Sequence, residues 1–201
     1  MQILSSSFKK LTLSSFAAGL SIGIAGLVYL KAGSAWVFPI GLLMVCLFSL
    51  HLYTGRVCYA KLADAPDLLW MLFMNIIGAG LLGVVAHFVY PELAQKAVEL
   101  TAAKIAEDAW VFPRAILCNI MIFVAVHAWK NLPSPNNIIS LIFATAIFVI
   151  GGFEHCIANA FYFGCAFVPS ADILWYLPAN ILGNTIGGVA AYKTIKYLDG
   201  R

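Results

Sequence analysis

The sequence predicts an all-α integral membrane protein of six transmembrane helices, the second and fifth interrupted. Three observations carry this. The 201 residues are 62% hydrophobic and only 10% charged, outside the balance of a water-soluble domain. The apolar residues fall into six runs of about the length that a bilayer crossing needs, separated by short polar punctuation. Two runs carry glycine or polar breaks, which membrane depth tolerates only where protein or a water-filled cavity satisfies the freed backbone. A single transmembrane domain, 1–201, follows.

The first span covers about Ser15 to Leu30. Lys9 and Lys10 precede it as they would in a signal peptide, but Leu30 and Lys31 stand where a small-residue cleavage exit belongs, so it is retained as a span. The arm "SSFKKLTLSSF" before it has room for a brief interfacial helix. The second span, Val37 to Ala60, contains the break "HLYTGRVC" (His51 to Cys58). The third runs from Leu68 to Tyr90. The longest loop, Pro91 to Trp110, places Glu92 and Lys96 at i,i+4 and predicts a short surface helix. The fourth span, Val111 to Trp129, carries Asn119 in "ILCN". The fifth, Ile138 to Phe167, is broken at Gly151-Gly152, and the sixth runs from Ile173 to Tyr197.

"NIIGAG" (Asn75 to Gly80) in the third span resembles "NTIGGV" (Asn184 to Val189) in the sixth. Repeat one would cover about 15–90 and repeat two about 111–197. Because three spans is an odd number, the halves would insert with opposite orientation, the inverted-repeat plan of many transporters. Interrupted helices at corresponding positions are a further mark of that plan, and spans two and five supply them. Gly78, Gly80, Gly187 and Gly188 read as close helix packing.

With both termini cytoplasmic, the inner segments hold Lys9, Lys10, Arg56, Lys61, Lys130, Lys193, Lys196 and Arg201, against Lys31, Lys96, Lys104 and Arg114 outside; the positive-inside rule favours that orientation. The net charge of +3 is then a topology signal, and nothing in it points to nucleic acid. Cys46, Cys58, Cys118, Cys156 and Cys165 lie in or beside spans as small buried hydrophobes, with no disulfide framework or CxxC pattern.

An ionisable residue inside a span is expensive, so its default reading is functional. His155 is the leading case, since a neutral imidazole both donates and accepts and protonates with little help. Glu154, one residue earlier, points about 100° away on a helix. It reads as a buried anchor accepting from backbone amides freed by the break. Asn159 and Asn119 orient the histidine, present donors to an anion, or act as interhelical glue. Thr54, beside Gly55 in the other break, either faces the same pathway or satisfies broken backbone. His51 titrates alongside His155 or meets water in a vestibule.

The strings "GFEHCIAN" (Gly152 to Asn159), "LYTG" (Leu52 to Gly55), "RAILCN" (Arg114 to Asn119) and "GNTIGG" (Gly183 to Gly188), in this order, resemble the formate/nitrite transporter family, from about Phe16 to Tyr197. The resemblance implies an aquaporin-like protomer, a homopentamer with one pore per chain, and passage of small monovalent weak-acid anions such as formate, nitrite, hydrosulfide, acetate or lactate. It implies a multi-pass protein of the prokaryotic plasma membrane that moves a monoanion, with a proton as the coupled partner, and no cofactor. His155 corresponds to the central pore histidine, Thr54 to its partner, Asn119 to a polar residue near the pore and Glu154 to the glutamate beside the histidine. Leu42, Phe148, Phe38, Leu52 and Tyr53 match the apolar constrictions, and Lys104 the vestibule lysine. Three departures stand out: His51 replaces an acidic or small residue, Tyr53 replaces phenylalanine, and the connection between spans five and six is short.

Other classes fare worse. A neutral-solute pore of the aquaporin type predicts paired Asn-Pro-Ala motifs, and the sequence has none. A membrane metalloenzyme using His51, His155, Cys156 and Cys165 lacks HxxxH or CxxC spacing. A structural subunit with a non-conducting pore is compatible with the same residues.

Overall fold

The structure is a computed structural model that describes residues 2–168 and 170–200, with side chains from residue 7 onward; Arg201 lies outside the described residues. It is helical throughout, with no strand among the described residues. In order the helices are α1 (Gln2–Ala32), α2 (Pro39–Leu47), α3 (Tyr53–Arg56), α4 (Ala65–Val89), α5 (Pro91–Ala106), α6 (Val111–Asn131), α7 (Asn136–Ile150), α8 (Cys156–Ala166) and α9 (Ile173–Leu198).

Ser7–Ala32, Leu62–Val89 and Asp108–Asn131 are each long and apolar enough to cross a membrane. The 26-residue α9 is also long enough, though Asn180, Asn184 and Lys193 dilute it. At 1.5 Å per residue, α2 and α8 each reach only about 13–17 Å, and a crossing at those positions needs both halves of a broken span. Outward faces are apolar: Leu69, Phe73, Ile77, Leu81 and Phe88 form an exposed stripe along α4, the inverse of a soluble amphipathic helix.

The N-terminal arm corrects the expectation of a separate interfacial helix. Residues 6–16 are continuous with α1, because their side chains find partners along the bundle. Thr12 Oγ1 accepts from Trp70 Nε1 at 2.9 Å, Ser14 Oγ accepts from the His51 N–H at 3.0 Å, and the Phe8 ring lies tilted against Trp70 at 5.2 Å. The surface helix expected after span three is present as α5, sixteen residues long.

Two pairs of long helices pack in parallel fashion, α1 on α4 and α6 on α9. The approach is close enough that a Cβ on Gly78 would strike the Phe16 carbonyl, and one on Gly187 the Ile116 carbonyl. The short α8 lies against α4, and α9 lies against the turn Val57–Tyr59 that follows α3.

Both broken spans end their first half with the same turn. Leu50 N–H reaches back to the Val45 carbonyl (2.9 Å), and Phe153 N–H to the Phe148 carbonyl (2.9 Å), the six-to-one bond of a Schellman ending. The residue before each donor has positive φ, +52° at Ser49 and +64° at Gly152. The chain is then extended at Leu52 and His155 before helix resumes.

Candidate functional site

At each break an asparagine from the last long helix of its own half replaces the missing helical bonds. Asn75 Oδ1 accepts from the Tyr53 N–H (2.8 Å), and its Nδ2 donates to the carbonyls of Ser15 (2.7 Å) and His51 (2.9 Å). Asn184 Oδ1 accepts from the Cys156 N–H (2.9 Å), and its Nδ2 donates to the carbonyls of Ala115 and Glu154, both at 2.8 Å. Both asparagines are fully buried, and a backbone break at that depth requires such partners.

The two restarted segments meet through one hydrogen bond. His155 Nε2 lies 3.0 Å from Thr54 Oγ1. On the other side of the ring, Nδ1 accepts from the Ala158 N–H at 3.2 Å, so His155 caps its own helix. An acceptor nitrogen carries no proton, which assigns the hydrogen to Nε2 and makes that atom the donor to Thr54. The Thr54 hydroxyl hydrogen is left to another acceptor. Asn119 joins from α6: its Nδ2 donates to the Thr54 carbonyl (3.1 Å) and approaches Cys58 Sγ (3.8 Å), while its buried Oδ1 has no partner among the described residues.

A second polar group sits beside the first. Lys104, in the last turn of α5, places Nζ 2.9 and 2.7 Å from the two oxygens of Glu154. Asn159 Nδ2 donates to Glu154 Oε2 (2.8 Å) and to Asn180 Oδ1 (2.7 Å), and Asn180 Nδ2 donates to the Glu154 carbonyl (2.7 Å). This overturns the expectation that the Glu154 carboxylate accepts from freed backbone amides. The amides are taken by Asn184 and by His155 itself, and a carboxylate only 2% exposed needs a countercharge at hand.

Apolar rings and cavities frame the centre. Phe38 and Phe148 meet edge to face at 5.5 Å, and Phe148 stacks on His155 at 5.8 Å. On that side a cavity of about 100 Å³ is lined by Phe38, Lys104, Phe148, His155, Asn159 and Tyr162. A separate cavity of about 280 Å³ is lined by Leu42, Leu52, Arg56, Val126, Trp129 and Lys130. Arg56 and Lys130 have no acidic partner among the described residues, and the Lys130 ammonium sits 3.9 Å over the Tyr59 ring. His51 lines a third cavity of about 370 Å³ with Arg56, Asp64, Asp67 and Lys130.

The family model described as formate/nitrite transporter matches residues 1–198. The chain belongs to that family. Among formate/nitrite transporters it is 28% identical to the formate channel BtFdhC of Bacillus thuringiensis, over 76% of this chain and 66% of that one. It is 26% identical to the formate channel FocA of Haemophilus influenzae, over 74% and 63%. The chain thus spans just under two thirds of the length of the curated relatives it matches. In fold it is similar to a pentameric formate channel with formate bound (TM-score 0.83, 21% identity, 97% and 98% of the two chains). It is also similar to a formate/nitrite transporter family ion channel (TM-score 0.85, 18% identity, 100% and 93%). Members of this family are integral membrane channels and transporters rather than enzymes.

Of the residues singled out from the sequence of this formate/nitrite transporter, the structure joins His155, Thr54 and Asn119 in one network and Lys104, Glu154 and Asn159 in a second. Phe38 and Phe148 line the cavity on the Lys104 side, and Leu42 and Leu52 the other. Tyr53 lines neither: its hydroxyl turns to Thr185 of α9. The sequence reading passed over Asn75, Asn184 and Asn180 as site-builders, although two of them head the motifs that signalled the repeat. It counted Arg56 and Lys130 for topology alone.

Proposed function

We propose that the protein is a channel for small monovalent weak-acid anions, formate or nitrite in the first place, in which the permeant passes the centre at His155 as the neutral acid. The observation that carries this is the His155–Thr54 hydrogen bond, flanked by a cavity that Phe38, Phe148 and Lys104 line and by another that Leu42, Leu52, Arg56 and Lys130 line. A bare charge among such apolar side chains costs several kcal/mol or more, roughly, whereas a neutral acid that keeps its hydrogen bonds costs far less. Lys104 in one cavity and Arg56 with Lys130 in the other attract the anion. Two of the three Lys104 donors are occupied by Glu154, so this lysine offers one hydrogen bond and a partly compensated charge. The neutral tautomer drawn by Ala158 gives the ring a hydrogen on Nε2, and acting as an imidazolium donor would first require release of the Ala158 N–H.

The same geometry accommodates hydrosulfide, acetate or lactate, and uptake of each decides among them. A metalloenzyme reading has no support in the arrangement, since no three His, Cys, Asp or Glu side chains converge among the described residues. The pentameric fold relative and the apolar exterior support a homopentamer, each chain with its own pathway. The excess of Lys and Arg in the segments with Arg56 and Lys130 supports cytoplasmic termini, and the bacterial source of the similar formate channels supports a prokaryotic plasma membrane. The test is uptake by proteoliposomes of formate, nitrite, acetate, lactate and hydrosulfide, with and without a pH gradient, for wild type and His155→Asn. Formate or nitrite uptake that a pH gradient accelerates, and that the variant abolishes, is expected. Gradient-driven uptake persisting in the variant removes the proton-donor role, and absence of all five fluxes removes the channel reading.

A further inference from the structure

Tyr53 stands directly between two residues of the pathway, Leu52 and Thr54, and it is held at both ends. Its backbone N–H is bound by Asn75 of α4 at 2.8 Å. Its phenolic oxygen lies 2.7 Å from Thr185 Oγ1 of α9. Thr185 spends its own hydrogen on the Ile181 carbonyl at 2.8 Å, so the tyrosine is the donor and the threonine the acceptor. The ring is 6% exposed.

The same segment is tied at Thr54 to His155 and Asn119, and Tyr53 supplies its link to α9. α3 is a single turn of four residues, flanked by the Ser49 break on one side and the turn Val57–Tyr59 on the other. One turn of helix is too short to be stable alone, so its placement depends on such tertiary contacts. A phenylalanine would fill the same space and keep the Asn75 bond, and it would lose the link to α9.

We infer that the Tyr53–Thr185 hydrogen bond is a clamp that sets permeant size, fixing Leu52 at its constriction and Thr54 against His155. Tyr53 is here a positioning residue that acts through its two neighbours. The inference rests on the channel reading for its transport consequence and stands apart from it for the structural one.

The test uses full-length Tyr53→Phe, Thr185→Val, the double variant and Thr185→Ser. In proteoliposomes the lactate-to-formate uptake ratio is expected to rise about fivefold to tenfold in each single valine or phenylalanine variant, the factor set by one ordinary hydrogen bond. The double variant should rise no further, and Thr185→Ser, which keeps the acceptor, should hold the wild-type ratio. A general loss of packing would lower both fluxes and leave the ratio in place. An unchanged ratio in the single variants overturns the size-setting role, and effects that multiply in the double variant overturn the shared bond. Amide hydrogen exchange over residues 52–56 is measured in parallel, with faster exchange expected in Tyr53→Phe. Unchanged exchange overturns the clamp whatever the transport result, so a wild type that carries neither anion defeats the channel reading alone.

Discussion

Asn75 and Asn184 do the same work in the two halves of the molecule, each accepting one N–H at the start of a resumed helix and donating to two carbonyls. Asn75→Ala leaves the Tyr53 N–H and the His51 carbonyl without those partners, and Asn184→Ala leaves the Cys156 N–H without its partner, the Glu154 carbonyl keeping Asn180. At roughly 1–3 kcal/mol per unsatisfied group, Asn75→Ala is expected to lose about twice as much stability as Asn184→Ala, and both are expected to unfold below wild type in detergent. Aspartate at the same position keeps the acceptor and loses both donors, so it should not rescue. Thermal unfolding followed by circular dichroism decides, and a wild-type midpoint for Asn184→Ala would refute the capping role.

The Lys104–Glu154 pair joins the connection α5 to the break in span five, with side chains 14% and 3% exposed. Truncating one partner strands a charge, at a cost of roughly 3–5 kcal/mol. Lys104→Met should therefore be much less stable than wild type. The double variant Lys104→Met, Glu154→Gln removes the stranded charge and should recover most of the loss, since Gln still offers an acceptor to Asn159. Chemical unfolding of wild type, Lys104→Met, Glu154→Gln and the double variant gives the coupling energy, and additive losses would show that the two charges do not support each other.

Gly188 is the point at which packing and site touch. A Cβ there would meet the Asn119 amide and lie 2.6 Å from Cys58 Sγ. Gly188→Ala is expected to push Asn119 off the Thr54 carbonyl and to slow formate uptake about tenfold, the effect of one lost hydrogen bond. Gly33→Ala, at a position with open space but positive φ, serves as a folding control with uptake near wild type. Equal uptake in both variants would separate Asn119 from conduction.

The two break turns make opposite predictions. Ser49 carries a side chain in the left-handed region and Gly152 does not. Ser49→Gly is expected to stabilise by up to about 1 kcal/mol, and Gly152→Ala, which has open space around its Cβ, to destabilise by about 1 kcal/mol from backbone strain alone. Melting temperatures that move in the same direction for both would contradict the shared turn geometry.

Much of this architecture is legible along the chain. A histidine and two glycines in an apolar run announce a break, because few other arrangements tolerate them at membrane depth. The breaks appear where His51 to Cys58 and Gly151-Gly152 put them. What the chain conceals is who answers each freed group. Asn75 looks the same in sequence whether it glues helices or caps a break twenty-two residues away, and Lys104 reads as a solvated loop lysine until α5 folds over Glu154. Tyr53 resembles an apolar wall residue until Thr185 arrives from α9. The continuity of α1 is concealed for a related reason, since Thr12 and Ser14 look like interface residues when their partners Trp70 and His51 are out of view.

The asparagine caps lie wholly within their own halves, Asn75 among Ser15, His51 and Tyr53 and Asn184 among Ala115, Glu154 and Cys156. The contacts at the centre run the other way: His155 and Asn119 both reach Thr54 across the divide. Selection therefore acts on the two sets differently. A change at Asn75 is judged by its own half, whereas a change at Thr54 is also felt by His155 and Asn119 on the far side. In an alignment of relatives, covariation is expected to link positions 54, 119 and 155 with one another and to leave 75 and 184 statistically independent.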